Sequence, residues 1–245
     1  MNFRFSLLLG LLVTAASAHA QTGGADGVAA QANLNALAAG APALLPRSET
    51  YGVKGSPYAD SRWLPAQIKL ANSQPLAPVP LKYDVLEHRL LMRPLTRGND
   101  SLLLDDRQVV SFVLLEPASA LGPARPRLFR RFLEAPNERQ RRDYVEVLNN
   151  GQYTLLKHHI KSIKKADYQG AYSSDQRYDV IDDKPVYYLR TPAGGLQAVK
   201  LGLKPLQTAA PALADALKTA VATQRPKTDA DWAAVFRTVD PAPAK

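Results

Sequence analysis

Tyr144-Val-Glu-Val-Leu-Asn-Asn-Gly-Gln-Tyr-Thr-Leu-Leu156 is the stretch on which the reading of the fold turns. Its two halves, Tyr144 to Leu148 and Gln152 to Leu156, carry the Val, Tyr, Thr and Leu content of strands, and Asn150-Gly151 stands between them. Asn-Gly tolerates the positive φ angles of a tight type I′ turn, so the segment predicts a β-hairpin. The same texture repeats on either side. Glu87-His88 divides Leu81–Leu86 from Arg89–Met92, Asp105-Asp106 divides Ser101–Leu104 from Gln108–Leu115, and Asp182-Asp183-Lys184 divides Arg177–Ile181 from Val186–Arg190. Pro192-Ala-Gly-Gly195 then leads into Leu196–Leu201. Hairpin-like connections at such intervals predict a mainly β fold, an antiparallel hairpin meander forming a sandwich or roll, rather than alternating βαβ units.

Side-chain alternation assigns faces within this meander. Val186, Tyr188 and Arg190 share one face, with Tyr187 and Leu189 on the other. Gln108–Leu115 is apolar on both faces apart from Ser111, which places it in the middle of the core. After Leu203 the period changes. Pro211 suits a first helical turn, and Leu213, Ala216, Leu217, Ala220 and Val221 recur at helical spacing until Pro226. Thr228 then reads as a cap, Asp229 and Asp231 suit the first turn, and Trp232, Val235, Phe236 and Val239 form one stripe. The organisation that follows is a β domain over residues 48–203 and a short C-terminal helical segment, 204–240, packed on it.

The chain begins with Arg4, an apolar run from Leu7 to Val13 and Ala18-His-Ala20, the pattern of a signal peptide cleaved after residue 20. That run is shorter than the ~20 residues a spanning helix needs. Residues 21–47, mostly Ala, Gly, Gln, Asn and Leu, read as a flexible leader, with a short helix over Val28–Leu37 as the rival reading. Export is therefore expected, to the periplasm, the outer surface or the medium, with no membrane-spanning segment after cleavage.

The composition of all 245 residues, 46% hydrophobic and 22% charged, suits a globular chain with a core. The absence of cysteine excludes a disulfide scaffold, Cys-ligated zinc, iron–sulfur clusters, thiol catalysis and lipoprotein acylation. The formal net charge is +9, and +8 once Arg4 is removed with the signal peptide.

Much of that excess lies between Arg125 and Lys165. Residues 125–142 hold Arg125, Arg127, Arg130, Arg131, Arg139, Arg141 and Arg142, diluted by Glu134 and Glu138. Lys157, Lys161, Lys164 and Lys165 follow in a segment without an acid between them. Arginine grips phosphate or carboxylate through its two-pronged guanidinium. The candidate anion-binding patch therefore comprises Arg127, Arg130, Arg131, Arg139, Arg141, Arg142, Lys157, Lys161, Lys164 and Lys165. The bland alternative for the lysines is a soluble edge strand whose charges block edge-to-edge pairing.

Other candidates carry less. His158-His159 on a strand point to opposite faces, so they do not chelate one ion together and read as half-exposed strand residues. Asp105-Asp106 and Asp182-Asp183 sit where turns are needed and lack a calcium-loop pattern. Tyr168, Tyr172 and Tyr178 suit sugar stacking but are also ordinary strand residues. Gly-x-Ser-x-Gly, Ser-x-x-Lys, His-Glu-x-x-His and phosphate-cradling glycine loops are all missing, and the sequence calls for no catalytic residue, cofactor or metal.

Lys54-Gly-Ser-Pro-Tyr58, Leu81-Lys-Tyr-Asp-Val85, Tyr144 to Gly151 and Pro185-Val-Tyr-Tyr-Leu189 together resemble a pattern of exported, uncharacterised β-rich proteins of Bacteroidota-type bacteria. The resemblance spans about residues 52–225. It implies an exported β-rich fold and carries no catalytic residue.

Two functions are expected from these features. The first is a non-enzymatic envelope or secreted protein that binds an anionic surface or a protein partner. The second is an exported hydrolase of glycan or peptide with carboxylates assembled by the fold, which requires a concave site with two carboxylates about 5–10 Å apart. Nucleic acid is not an expected partner, because the basic segments lack interleaved base-stacking aromatics.

Overall fold

The computed structural model describes residues 22–44, 53–94, 100–119, 122–166 and 178–241. The segment read as a signal peptide lies outside them, as do Tyr168 and Tyr172. A helix, α1 (Thr22–Gly40), precedes two short strands, β1 (Ala43–Leu44) and β2 (Val53–Lys54). Then come β3 (Leu64–Leu70), β4 (Val79–Asp84), β5 (Arg89–Met92), β6 (Ser101–Leu104), β7 (Val109–Glu116), β8 (Arg125–Arg131), β9 (Tyr144–Asn150) and β10 (Thr154–His158). The last strands are β11 (Lys161–Lys164), β12 (Asp179–Asp183), β13 (Val186–Arg190) and β14 (Leu196–Val199). The chain closes with α2 (Leu203–Ala209), α3 (Ala214–Gln224) and α4 (Asp229–Val239).

Eleven strands form one sheet in the order β1-β6-β5-β4-β3-β7-β8-β9-β10-β13-β14, and a smaller sheet has the order β11-β12-β2. Every pairing in the large sheet is antiparallel. The expected mainly β fold with C-terminal helices is what the chain adopts. The sheet cannot be flat. Four inter-strand spacings, about 19 Å, separate β6 from β7 in a flat sheet, whereas the five Cα steps from Leu104 to Val109 reach at most about 17 Å fully extended. They are shorter still because Asp106–Gln108 is a 3₁₀ turn. The sheet therefore curls so that β6 ends close to where β7 begins.

The curl encloses the larger core, where Leu64, Ala66, Ile68, Leu81, Tyr83, Phe112, Leu114, Phe129 and Tyr144 are buried together. Phe112 and Phe129 stack at 4.9 Å, and Tyr83 packs edge-on to both and to Tyr144. A second core forms where Leu155 and Leu189 meet Leu206, Leu217, Trp232, Val235 and Phe236 of the C-terminal helices. Thr228 and Asp231 make the capping box that starts α4, as the sequence predicts. A third cluster, Phe132, Ala135, Val145, Leu156 and Tyr188, lies apart from these two.

Four expectations change. Residues 22–40 are not a flexible leader but helix α1. Leu34, Leu37, Ala38 and Ala41, spaced i, i+3, i+4 and i+7, give it an apolar stripe that packs on the larger core. β6 and β7 are consecutive but unpaired: β7 is central in the sheet between β3 and β8. Yet β7 is not buried on both faces as its composition suggests, since Val109, Phe112 and Leu114 are buried while Val110 is exposed. β12 and β13 are likewise unpaired. The acidic β12 instead pairs with the basic β11, where Lys161 meets Asp183 at 2.8 Å and Lys165 meets Asp179 at 2.9 Å.

The fourth change concerns Asn150-Gly151. β9 and β10 form the expected hairpin, with a bulge at Leu155/Leu156, but neither Asn150 nor Gly151 has a positive φ. Glycine is required here for space: a Cβ at 151 would lie 2.3 Å from the Asp240 carboxylate. That carboxylate accepts hydrogen bonds from the Gln152 and Tyr153 amides, at 3.1 and 2.7 Å, and the Asn149 side chain donates to the Asp240 carbonyl. The turn is thus built around the C-terminal end of α4.

Candidate functional site

The structure sorts the charged residues into those spent inside the fold and those left at its surface. The register of β8 and β9 sets Phe129 opposite Glu146 and so brings Arg127 and Glu146 onto one face of the sheet. Glu146 is buried, and Arg127 donates to both its oxygens, at 2.7 and 2.9 Å. His159 Nε2 meets the same carboxylate at 2.8 Å, and Arg127 Nη1 reaches Asp60 at 3.1 Å. Arg62 then bridges Asp60 and Glu116, which also accepts from Arg125.

Burial pushes the Glu146 carboxyl up, but the hydrogen bonds from Arg127 and His159 outweigh it and hold it well below the carboxylate range. Burial also drives His159 down, against the pull of Glu146. The group is thus a neutral imidazole donating to a carboxylate that one guanidinium already neutralises. Buried charges arranged this way are satisfied by one another and leave no valence for a ligand.

His158 lies on the opposite face, as alternation predicts, and meets Asp143 Oδ2 through Nε2 at 2.9 Å. His88, from the turn between β4 and β5, approaches Asp143 Oδ1 through Nδ1 at 2.8 Å. Burial raises the Asp143 carboxyl, but hydrogen bonds from His158 and His88 prevail and lower it to about 2. The bond to Asp143 raises His88. Both members of the His158-His159 pair are buried rather than half-exposed, because each finds its own carboxylate. Among the described residues no cluster of three or more His, Asp or Glu side chains is arranged to hold a metal ion.

The ten candidate anion-binding residues divide sharply. Arg127 belongs to the buried group just described and not to a surface patch. Arg130 pairs with Glu134, and Arg131 pairs with Asp106 while donating to the Arg142 carbonyl. Lys157 pairs with Asp229, Lys161 with Asp183 and Lys165 with Asp179. Arg139, Arg141, Arg142 and Lys164 are exposed and have no acidic partner among the described residues. Three of these four occupy one 3₁₀ turn, Glu138–Arg142, capped by the Asn137 side chain at the Arg139 amide and containing one acid, Glu138.

A groove of about 660 Å³ lies where β13 and β14 meet the start of α4, lined by Val186, Tyr187, Val199, Lys200, Lys227, Asp229, Trp232 and their neighbours. Its one carboxylate, Asp229, is already engaged by the Tyr187 hydroxyl at 2.7 Å and by Lys157. The turn acids do local work: Asp105 caps the 3₁₀ turn through the Arg107 amide, and Asp182 pairs with Lys184 at 2.5 Å.

The sequence shows that the two histidines diverge. It does not show their partners, because Asp143 and Glu146 lie 15 and 13 positions away and reach the two rings only through the pairing of β9 with β10. Compared with known proteins, the chain matches no family model, no curated protein and no solved structure.

Proposed function

We propose that this chain is an exported, non-enzymatic binding module of the cell envelope whose ligand is an anionic surface. One observation carries the reading: most of the basic segment is neutralised internally, while Arg139, Arg141 and Arg142 stand exposed without an acidic partner among the described residues on one capped turn. Guanidinium groups carried on one hydrogen-bonded turn present several two-pronged donors to phosphate or carboxylate. Within the segment from Arg125 to Lys165, three cations unpaired among the described residues on one turn, against the pairing of most of their neighbours, favour a ligand.

Hydrolysis receives less support, since the groove at α4 offers the single carboxylate Asp229, already occupied by two partners. The likeness to exported β-rich proteins of Bacteroidota-type bacteria agrees with an envelope destination.

Chromatography of the purified protein on phosphocellulose tests the reading. The natural chain elutes at a distinctly higher salt concentration than R139Q/R141Q/R142Q, whose thermal midpoint is unchanged because the three side chains are exposed. Identical elution of the two proteins overturns it.

A further inference from the structure

We infer that the loop from Phe132 to Asp143 is an interfacial anchor for an anionic phospholipid bilayer, with Leu133 entering the acyl boundary while Arg139, Arg141 and Arg142 engage headgroup phosphates. The inference rests on the anion-binding reading above and adds the kind of surface. It begins with a leucine that folding leaves outside: Leu133 is 71% exposed, although both its flanks are fixed to the interior. Phe132 is fully buried against His158 and Tyr188, and Ala135 is buried as well.

The loop is closed and stiff. The Phe132 amide donates to the Asp143 carbonyl at 3.0 Å, joining its two ends, and the Ala135 amide donates back to Phe132 at 3.0 Å. Glu134, the acid beside Leu133, is engaged by Arg130. Further along, the Gln140 amide donates to Asn137 and the Asp143 amide to Gln140. Leu133 is therefore held in water by buried and hydrogen-bonded neighbours, at one end of a loop whose other end, joined to it by the Phe132–Asp143 bond, carries Arg142.

An apolar side chain beside guanidinium groups gains from a bilayer in two ways that a soluble polyanion offers only in part. The polyanion supplies charge, but only the bilayer supplies hydrocarbon for the leucine. Each arginine near an anionic membrane surface strengthens partitioning about fivefold, and burying most of a leucine side chain adds about tenfold.

Cosedimentation with vesicles of anionic phospholipid, against vesicles of zwitterionic phospholipid alone, reads the partitioning. The natural chain binds the anionic vesicles and not the zwitterionic ones. L133S binds them about tenfold more weakly but elutes from phosphocellulose unchanged, whereas R139Q/R141Q/R142Q is weakened on both. Since the chain has no cysteine, Leu133→Cys carries a single environment-sensitive fluorophore, whose emission shifts to the blue on anionic vesicles. Equal vesicle binding by L133S together with an unshifted fluorophore overturns the anchor while leaving the anion-binding reading standing. Indifference of phosphocellulose elution to the arginine substitutions overturns both.

Discussion

Glu146 is the residue on which most of the interior charge depends. It neutralises Arg127, accepts from His159 and, through Arg127, is tied to Asp60 on the segment before β3. Glu146→Gln leaves the Arg127 guanidinium buried with only Asp60 to face, and urea denaturation should show a loss of about 3–5 kcal/mol. Arg127→Met combined with Glu146→Leu removes both charges together and should lose much less than the single change. Asp143 sets a pH limit. Its folded carboxyl titrates at about 2, below the ordinary 3.8, so its stabilisation is complete above that ordinary value and is lost as pH falls from about 4 toward 2. Asp143→Asn should be less stable near neutral pH and should lack that part of the acid transition in a pH series of thermal midpoints. The histidines illustrate what can be read at this scale. Alternation along a strand separates His158 from His159, but their burial depends on Asp143 and Glu146 reaching the rings from the β9 side, where His158 faces Val145 and Lys157 faces Glu146.

Strands and helices were more legible than the connections between them. Tyr144–Leu148 and Gln152–Leu156 pair as their composition predicts, and Thr228 with Asp231 starts α4 where the pattern places it. The turn joining β9 and β10 was misread because Asn-Gly suggests a local conformational need, whereas Gly151 answers to a residue 89 positions later. Gly151→Ala should therefore destabilise by about 1–3 kcal/mol through the clash with Asp240, visible as a lower thermal midpoint. Asp240→Ala in the same background should relieve part of that cost while losing the bonds to the Gln152 and Tyr153 amides. The sequence presents helix α1 only as the rival to a flexible leader, over Val28–Leu37, because its alanines and glycines dilute the packed stripe of Leu34, Leu37 and Ala38. β6 and β7 have a turn between them, as a hairpin does. Their separation follows from which strand must be central, a property of the whole sheet.

At the scale of the molecule, most of the basic segment is paired off within the fold. The fold consumes Arg127 in its interior, sets Lys161 of β11 against Asp183 of β12, and ties Arg131 to Asp106 just before β7. What remains in the basic segment is concentrated on the 138–142 turn and Lys164. The sequence identified the basic stretch; it could not identify which members remain available, because most of the pairings, such as Lys157 with Asp229 and Arg131 with Asp106, depend on how separate elements meet. Attraction of an exposed turn to a charged surface is screened over about 8 Å at physiological salt, so it should weaken steeply as salt rises. The most direct measurement is a salt titration, from about 50 to about 500 mM NaCl, of binding to anionic phospholipid vesicles by the natural chain and by R139Q/R141Q/R142Q. The natural chain should bind at low salt and release as salt increases, while the variant should bind weakly throughout. Equal binding by the two proteins across the titration would contradict it.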